Sequence, residues 1–385
     1  MPINNRIADL TNEIAGWRHD FHAHPELQYD VHRTAARIAE LLTSFGVDEV
    51  ATGIGRTGVV GMIRGNRPGR MRGLRAEMDA LPMTEATGLA YASTIPGHMH
   101  ACGHDGHSAM LLGAAKYLAE TRDFAGTAVL IFQPAEEGGA GGRAMAEDGL
   151  FTRWPVEDVY ALHNLPGIPE GQFVTRPNAI MASADTFDIL IEGKGGHAAW
   201  PHALADTIVA TGQIITALQT IVSRETNPLH SAVVSVTRIE AGSTHNVMPD
   251  TARLSGTLRA LDADVRDHNE QRFIEITQGI ARALNVKATV TVDRVCGVVS
   301  NDPARTAIAA ATAAEIIGKD NVRVDMDPLM GGDDFCYLLD HRPGSYVFVG
   351  NGDSAGLHTV TYDFNDRLIP IGVSYWVKLM QTAGN

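Results

Sequence analysis

"TFDILIEG", residues 186–193, decides the architecture. Phe187, Ile189 and Ile191 fall on one face and Thr186, Asp188 and Glu192 on the other, the period of a strand with one buried side. The segments before it read differently. "TGVVGMIRG" (57–65), "MRGLRAEMDA" (71–80), "GTAVLIFQPAEE" (126–137) and "VEDVYALHNLPG" (156–167) read as short strands. Some are apolar throughout, as in a sheet covered on both faces. Between them "IADLTNEIAGWRHDFHAH" (7–24), "HRTAARIAELLTSFG" (32–46) and "GHSAMLLGAAKYLAETR" (106–122) read as helices, the second ended by Gly46. This alternation predicts a mixed or mostly parallel α/β sheet.

Beyond residue 193 the order changes. Leu204, Ile208, Ile215, Leu218 and Val222 predict one helical stripe, and "AVVSVTRIEAG" (232–242) and "ARLSGTLRA" (252–260) predict two strands. Val265, Phe273, Ile276, Ile280 and Leu284 mark a second helix, and "KATVTV" (287–292) closes with period two. The sequence β-α-β-β-α-β is the ferredoxin-like unit. After about residue 295 the earlier style resumes with "PARTAIAAATAAEIIG" (303–318), the strand "SYVFVG" (345–350) and a C-terminal helix. The expected fold is therefore α/β: a mixed-sheet catalytic domain over residues 1–183 and 296–385, with an α+β ferredoxin-like domain inserted over 184–295.

The chain's 385 residues fit two domains. Its 31 basic and 45 acidic residues give a net charge of −14 without long charge runs, which argues against nucleic acid and anionic membranes as partners. The first residues lack a basic segment followed by an apolar one, and no apolar stretch is long enough to cross a bilayer. Cys102, Cys296 and Cys336 are far apart and odd in number, so no disulfide framework is expected. A cytoplasmic enzyme or binding protein remains.

The histidines cluster. "HMHACGHDGH" (98–107) packs four His, one Cys and one Asp into ten residues. Thiolate and imidazole are transition-metal ligands, and a Cys-x-His spacing can aim both at one ion. A single histidine in a loop is usually structural; this density is not ordinary loop chemistry, though spacing does not choose among the candidates. "QPAEEGG" (133–139) sets Glu136 and Glu137 at the end of an apolar strand, where α/β proteins place ligands. At such a bend one carboxylate can face a metal and its neighbour a metal-bound water. "ALHNLPG" (161–167) puts His163 at another strand end, and "GLHTV" (356–360) puts His358 in a loop after a third. In the inserted domain, "GKGGHAAWPH" (193–202) holds His197 among glycines, and "AGSTHNVMPD" (241–250) holds Asn246 in a loop between strands.

Two familiar patterns are rejected. "GIGRTG" (53–58) fits the dinucleotide fingerprint by letters, but a strand-like segment follows it where a helix is needed. "GDSAG" (352–356) fits a nucleophile elbow by letters, but only 31 residues follow Ser354 and they begin with the non-helical "LHTVTYDFND" once Ala355 and Gly356 are passed. Ser354 is therefore not expected to act as a nucleophile, and a serine esterase is disfavoured.

"MDALPM", "HACGHDGHSAMLLGAA", "QPAEEGGAGGRAM", "ALHNLPG", "GKGGHAAWPH" and "HNVMPD" occur in this order. With them the chain resembles the hippurate-hydrolase-like branch of the aminoacylase/carboxypeptidase metallopeptidase family, which includes the auxin-conjugate hydrolases. The resemblance implies a zinc-peptidase-like catalytic domain and an inserted lid that also makes a homodimer or a higher homo-oligomer. It implies two divalent ions per subunit (Mn, Zn, Co or Ni) held by Cys102, His104, Glu137, His163 and His358, the thiolate bridging them. Glu136 would be the general base, and His197 and Asn246 would bind substrate or the oxyanion. Carboxypeptidase-like relatives carry His-x-Asp where this chain has Glu77-Met78-Asp79, so Asp79 becomes a supporting residue only. The implied reaction is hydrolysis of an N-acyl amino acid, a small-molecule substrate. A dipeptidase or carboxypeptidase, or a non-catalytic metal-binding relative, are the alternatives.

Overall fold

The computed structural model describes residues 5–382; the expected domain limits at residues 1 and 385 lie outside them. The chain separates into two compact units. One comprises Met1–Ile180, Ser300–Asp327 and Asp334–Asn385, the other Met181–Val299 with Pro328–Asp333.

The larger unit is built on an eight-stranded mixed sheet. In spatial order its strands are Glu49–Ile54, Gly58–Arg64, Ala125–Gln133, Arg67–Glu77, Asp158–Pro166, Gly344–Gly352, Phe173–Val174 and Val322–Arg323. The four central strands, from Ala125–Gln133 to Gly344–Gly352, run parallel, so their C-terminal ends share one edge. Their apolar runs are buried because helices cover the sheet. Helix His104–Thr121 lies among helices Asn5–Ala23 and Ile369–Gln381 and is buried along most of its length. Its Gly113 permits this closeness, since a Cβ there would stand 2.6 Å from Ile14 Cδ1 and 2.8 Å from Val373 Cγ2. The helix begins at His104, two residues earlier than the sequence predicted, so His104 belongs to its first turn. "GIGRTG" links the antiparallel strands Glu49–Ile54 and Gly58–Arg64, with no helix to receive a pyrophosphate.

The smaller unit has a four-stranded antiparallel sheet in the order Ala232–Ala241, Thr251–Ala260, Ser183–Glu192, Lys287–Cys296. Phe187, Ile189 and Ile191 point into a core shared with helices Thr207–Thr220 and Ala263–Ala283. Asp206 and Asp262 cap those helices by accepting backbone N–H bonds. The inward stripe of the first helix differs from the one predicted. Ala210, Ile214, Leu218 and Ile221 are buried, whereas Ile208 and Val222 are exposed. That helix carries apolar residues on both sides, so periodicity alone could not choose its inner face.

Among the described residues no helix is long and apolar enough to cross a membrane, and none of Cys102, Cys296 and Cys336 forms a disulfide.

Candidate metal centre

Chemistry-bearing residues gather at the C-terminal edge of the parallel strands. Strand Arg67–Glu77 leads into Asp79, strand Ala125–Gln133 into Glu136 and Glu137, strand Asp158–Pro166 contains His163, and strand Gly344–Gly352 precedes the loop of His358. Cys102 and His104 arrive from the loop and first turn of the buried helix. Their donor atoms fall into groups whose members lie within 4.8 Å of one another. Cys102, His104 and His163 make one, Cys102, Glu137 and His358 another, and His104, Glu136 and Glu137 a third. That spread is close to twice a metal–ligand bond of ~2.0–2.3 Å. Cys102 is common to the first two groups, and its Sγ is 3.4 Å from His163 Nε2.

The hydrogen bonds behind these residues settle which atoms face inward. His104 Nδ1 lies 2.8 Å from the Asp79 carbonyl oxygen, and His163 Nδ1 lies 2.6 Å from the Asn164 carbonyl oxygen. A carbonyl only accepts, so both Nδ1 atoms donate and both Nε2 atoms are turned toward the cluster. His104 Nε2 is buried without a hydrogen-bond partner, and so is Glu137 Oε1, although the latter stands 3.2 Å from His358 Nε2. Buried polar atoms without partners are rare and costly. Here they converge, which fits a cation.

Charge points the same way. Burial opposes a proton on His104, but Asp79, Glu77 and Glu137 outweigh it and raise the imidazole to about 10. A site that holds a proton so firmly is a site of negative potential. Burial pushes His163 well below its usual range, aided by His107, so it is a neutral lone-pair donor. Burial raises Glu137, yet the His358 imidazole 3.2 Å away and the charge of His104 bring it net below the usual carboxylate range.

Asp79 ties the site together. One carboxylate oxygen accepts the Glu136 N–H at 3.1 Å and the other accepts the Glu137 N–H at 3.0 Å. Ala135, with φ of 54°, makes the bend that presents both amides. The two glutamates then diverge: Glu136 Oε2 stands 3.9 Å from His104 Nε2, and Glu137 turns toward His358. Ser354 instead accepts a hydrogen bond from Asn351 at 2.8 Å, and no helix follows it before residue 366.

Sequence reasoning missed the residues beneath the cluster. His107 bonds Glu77 Oε2 and Asn164 Oδ1, each at 2.9 Å, and Asn164 Nδ2 donates to Tyr362 Oη at 2.6 Å. Arg75 pairs with Glu77 and, at 2.9 Å, with Asp334. Asn164 was signalled only by its place beside His163, His107 by its place in "HMHACGHDGH" and Glu77 by its place before Asp79; Arg75, Asp334 and Tyr362 had no local signal.

His197 and Asn246 lie in the smaller unit and are brought together there. Gly196–His197 pairs with Val247–Met248, and the Ala198 N–H donates to the Asn246 carbonyl at 3.1 Å. His197 Nδ1 accepts the Ala199 N–H at 3.1 Å, leaving its exposed Nε2 available.

Comparison with known proteins agrees with this chemistry. The profile of "Peptidase family M20/M25/M40" matches residues 73–382. The hippurate hydrolase of Campylobacter jejuni is 41% identical over 97% of each chain. The N-acetyl-L-cysteine deacetylase of Bacillus subtilis is 41% identical over 98% of this chain and 88% of its own. The solved structure of the Bacillus subtilis YXEP protein, described as a dinuclear metal-binding peptidase of family M20, superposes with a TM-score of 0.84. It is 32% identical and covers 97% of this chain and 98% of its own.

Proposed function

The chain belongs to peptidase family M20/M25/M40, and from that premise we propose that it hydrolyses the amide bond of N-acyl amino acids, aromatic acyl groups included. The products are a carboxylic acid and an amino acid. One observation carries the reading: Cys102 belongs to two donor groups at once, and the carboxylate of Glu136 stands beside them.

Two divalent ions (Mn, Zn, Co or Ni) would be held by Cys102, His104, Glu137, His163 and His358, a mixed S/N/O set that selects weakly among these metals. When bound, they supply Lewis acidity to the scissile carbonyl and to a water. Glu136 takes the proton of the attacking water at its carboxylate as the C–O bond forms, and returns it to the leaving nitrogen, whose C–N bond then breaks. Asp79 aims His104 and fixes the amides of both glutamates. His197 Nε2 and the Asn246 side chain bind substrate or the developing oxyanion. Residues 1–183 and 296–385 form the catalytic part, and 184–295 form a lid that also dimerises. Exposed Trp200, Val209, Ile239 and Val247 and the free edge of strand Ala232–Ala241 support a homodimer through that domain. The setting is cytoplasmic, with neither nucleic acid nor membrane as partner.

The test is a panel of N-acetyl and N-benzoyl amino acids beside dipeptides, assayed after metal removal and after reconstitution with each metal. Metal-restored hydrolysis of the N-acyl amino acids is expected. Preferential cleavage of dipeptides would make the protein a dipeptidase or carboxypeptidase, and no hydrolysis with any metal would leave a non-catalytic relative.

A further inference from the structure

The two donor groups that share Cys102 are supported very differently. Cys102, His104 and His163 are all buried, His104 and His163 on a helix and a strand. The other group is completed by His358, whose side chain is 53% exposed in a loop without helix or strand from 353 to 365. His358 itself has φ of 60°, a backbone region that costs a non-glycine residue free energy. Its N–H donates to the Ala101 carbonyl at 2.8 Å. One bond at the strained residue does not fix a loop of this length.

Asn164 and Asn351 also bond the loop, through Tyr362 and Ser354, and a further anchor is a buried arginine cluster that the reaction as proposed does not use. Arg18, on helix Asn5–Ala23, is wholly buried. Its Nε donates to Asp105 Oδ2 at 2.9 Å, its Nη1 to Asp366 Oδ1 at 3.1 Å, and its Nη2 to Asp363 Oδ1. The second oxygen of Asp363 accepts the Tyr91 hydroxyl at 2.8 Å, and the Tyr91 ring lies under the guanidinium, 4.7 Å from centroid to Cζ. Asp105 directly follows His104, and Asp363 comes five residues after His358. A single guanidinium therefore spans the segment that carries one ligand and the loop that carries the other. Ala86 adds a backbone bond to Val360 at 2.8 Å within the same loop. A fully buried arginine is a poor stabiliser in itself, because its desolvation offsets most of its Coulomb gain. What its fork does well is fix geometry.

We propose that Arg18, Asp363 and Tyr91 are positioning residues: they hold the 353–365 loop so that His358 Nε2 stands over Glu137 and completes the second of two unequal metal positions. None of the three belongs to a donor group. The inference rests on the metal-site reading given above. In this arrangement the position formed by buried donors fills first, and the position closed by His358 depends on the clamp.

The test is calorimetric titration of metal-free protein with Zn²⁺, with bound metal counted by elemental analysis. Wild type is expected to take two equivalents. Asp363→Asn is expected to keep the first with unchanged affinity and to weaken the second at least tenfold. Tyr91→Phe keeps the ring over Arg18 and removes only the hydroxyl donor, so it weakens the second equivalent several-fold at an unchanged melting temperature; it carries the test alone if Asp363→Asn does not fold. Two wild-type-like equivalents in both variants would overturn the clamp while leaving the metal site intact. Equal weakening of both equivalents would also overturn it, as general loosening. Fewer than two equivalents in wild type would instead refute the metal-site reading on which the clamp depends.

Discussion

Gly103→Ala puts one methyl group between Cys102 and His104, and the structure gives its cost in parts. Gly103 has φ of 90°, and a Cβ there would stand 2.2 Å from Asn164 Oδ1 and 2.6 Å from the Tyr362 hydroxyl. The left-handed backbone alone costs a non-glycine residue ~1–2 kcal/mol. To reach ordinary contact the Asn164 side chain must withdraw by roughly 1 Å, which strains its bonds to His107 and Tyr362. A buried polar group that loses its partner costs ~1–3 kcal/mol. The sum, roughly 2–5 kcal/mol, is a large share of a typical stability of ~5–15 kcal/mol. For a unit of this size it corresponds to a fall in melting temperature of roughly 4–20 °C, at ~2–4 °C per kcal/mol. Both donor groups containing Cys102 are distorted, so metal content falls as well. Calorimetry of the metal-free protein and elemental analysis of the reconstituted protein measure the two effects. A Gly103→Ala variant with wild-type melting and both ions bound would refute the reasoning.

Cys102→Ala should lose both metal equivalents, because the thiol belongs to both donor groups, whereas His358→Ala should lose one; equal losses by elemental analysis would contradict that division. His22 should make stability pH-dependent. Burial opposes its charge, but Asp105 and Glu85 outweigh burial and the nearby Arg18, raising it to about 9, with His100 and Tyr91 as its other ring neighbours. A raised folded-state value stabilises fully below the unfolded value near 6.5 and is lost as pH rises through about 9, ~3 kcal/mol in all. Denaturant unfolding of wild type against His22→Gln should therefore converge between pH 6 and 9.5; a constant difference contradicts the assignment. Val209→Lys with Ile239→Lys should shift sedimentation from dimer to monomer, and an unchanged sedimentation coefficient would remove that face from the interface.

The alternation of Phe187, Ile189 and Ile191, and the apolar runs around "TAVLIF", made the two styles of sheet legible before any coordinates. The ligand-type residues were legible too, because several sit in short stretches dense in His, Cys and Glu. The supports were not. Arg18 reads as the polar side of an amphipathic helix, yet its partners lie 87, 345 and 348 residues away, and no local pattern announces them. Glu77 and His107, 30 residues apart, are likewise joined only when a strand end meets a helix start. The misjudged stripe at Ile208 and Val222 has a different cause. That helix is apolar on its outer side as well, with Ile208, Val209 and Val222 exposed, so periodicity had no polar face to choose by.

The central claim is that Glu136 moves the proton while its neighbours hold metal. Glu136→Gln removes the base and keeps the side chain's shape, so the decisive measurement is turnover of N-benzoylglycine by this variant beside its metal content. The account predicts two bound ions and a kcat lower by ~10²–10⁴. Near-wild-type turnover with both ions bound would contradict it.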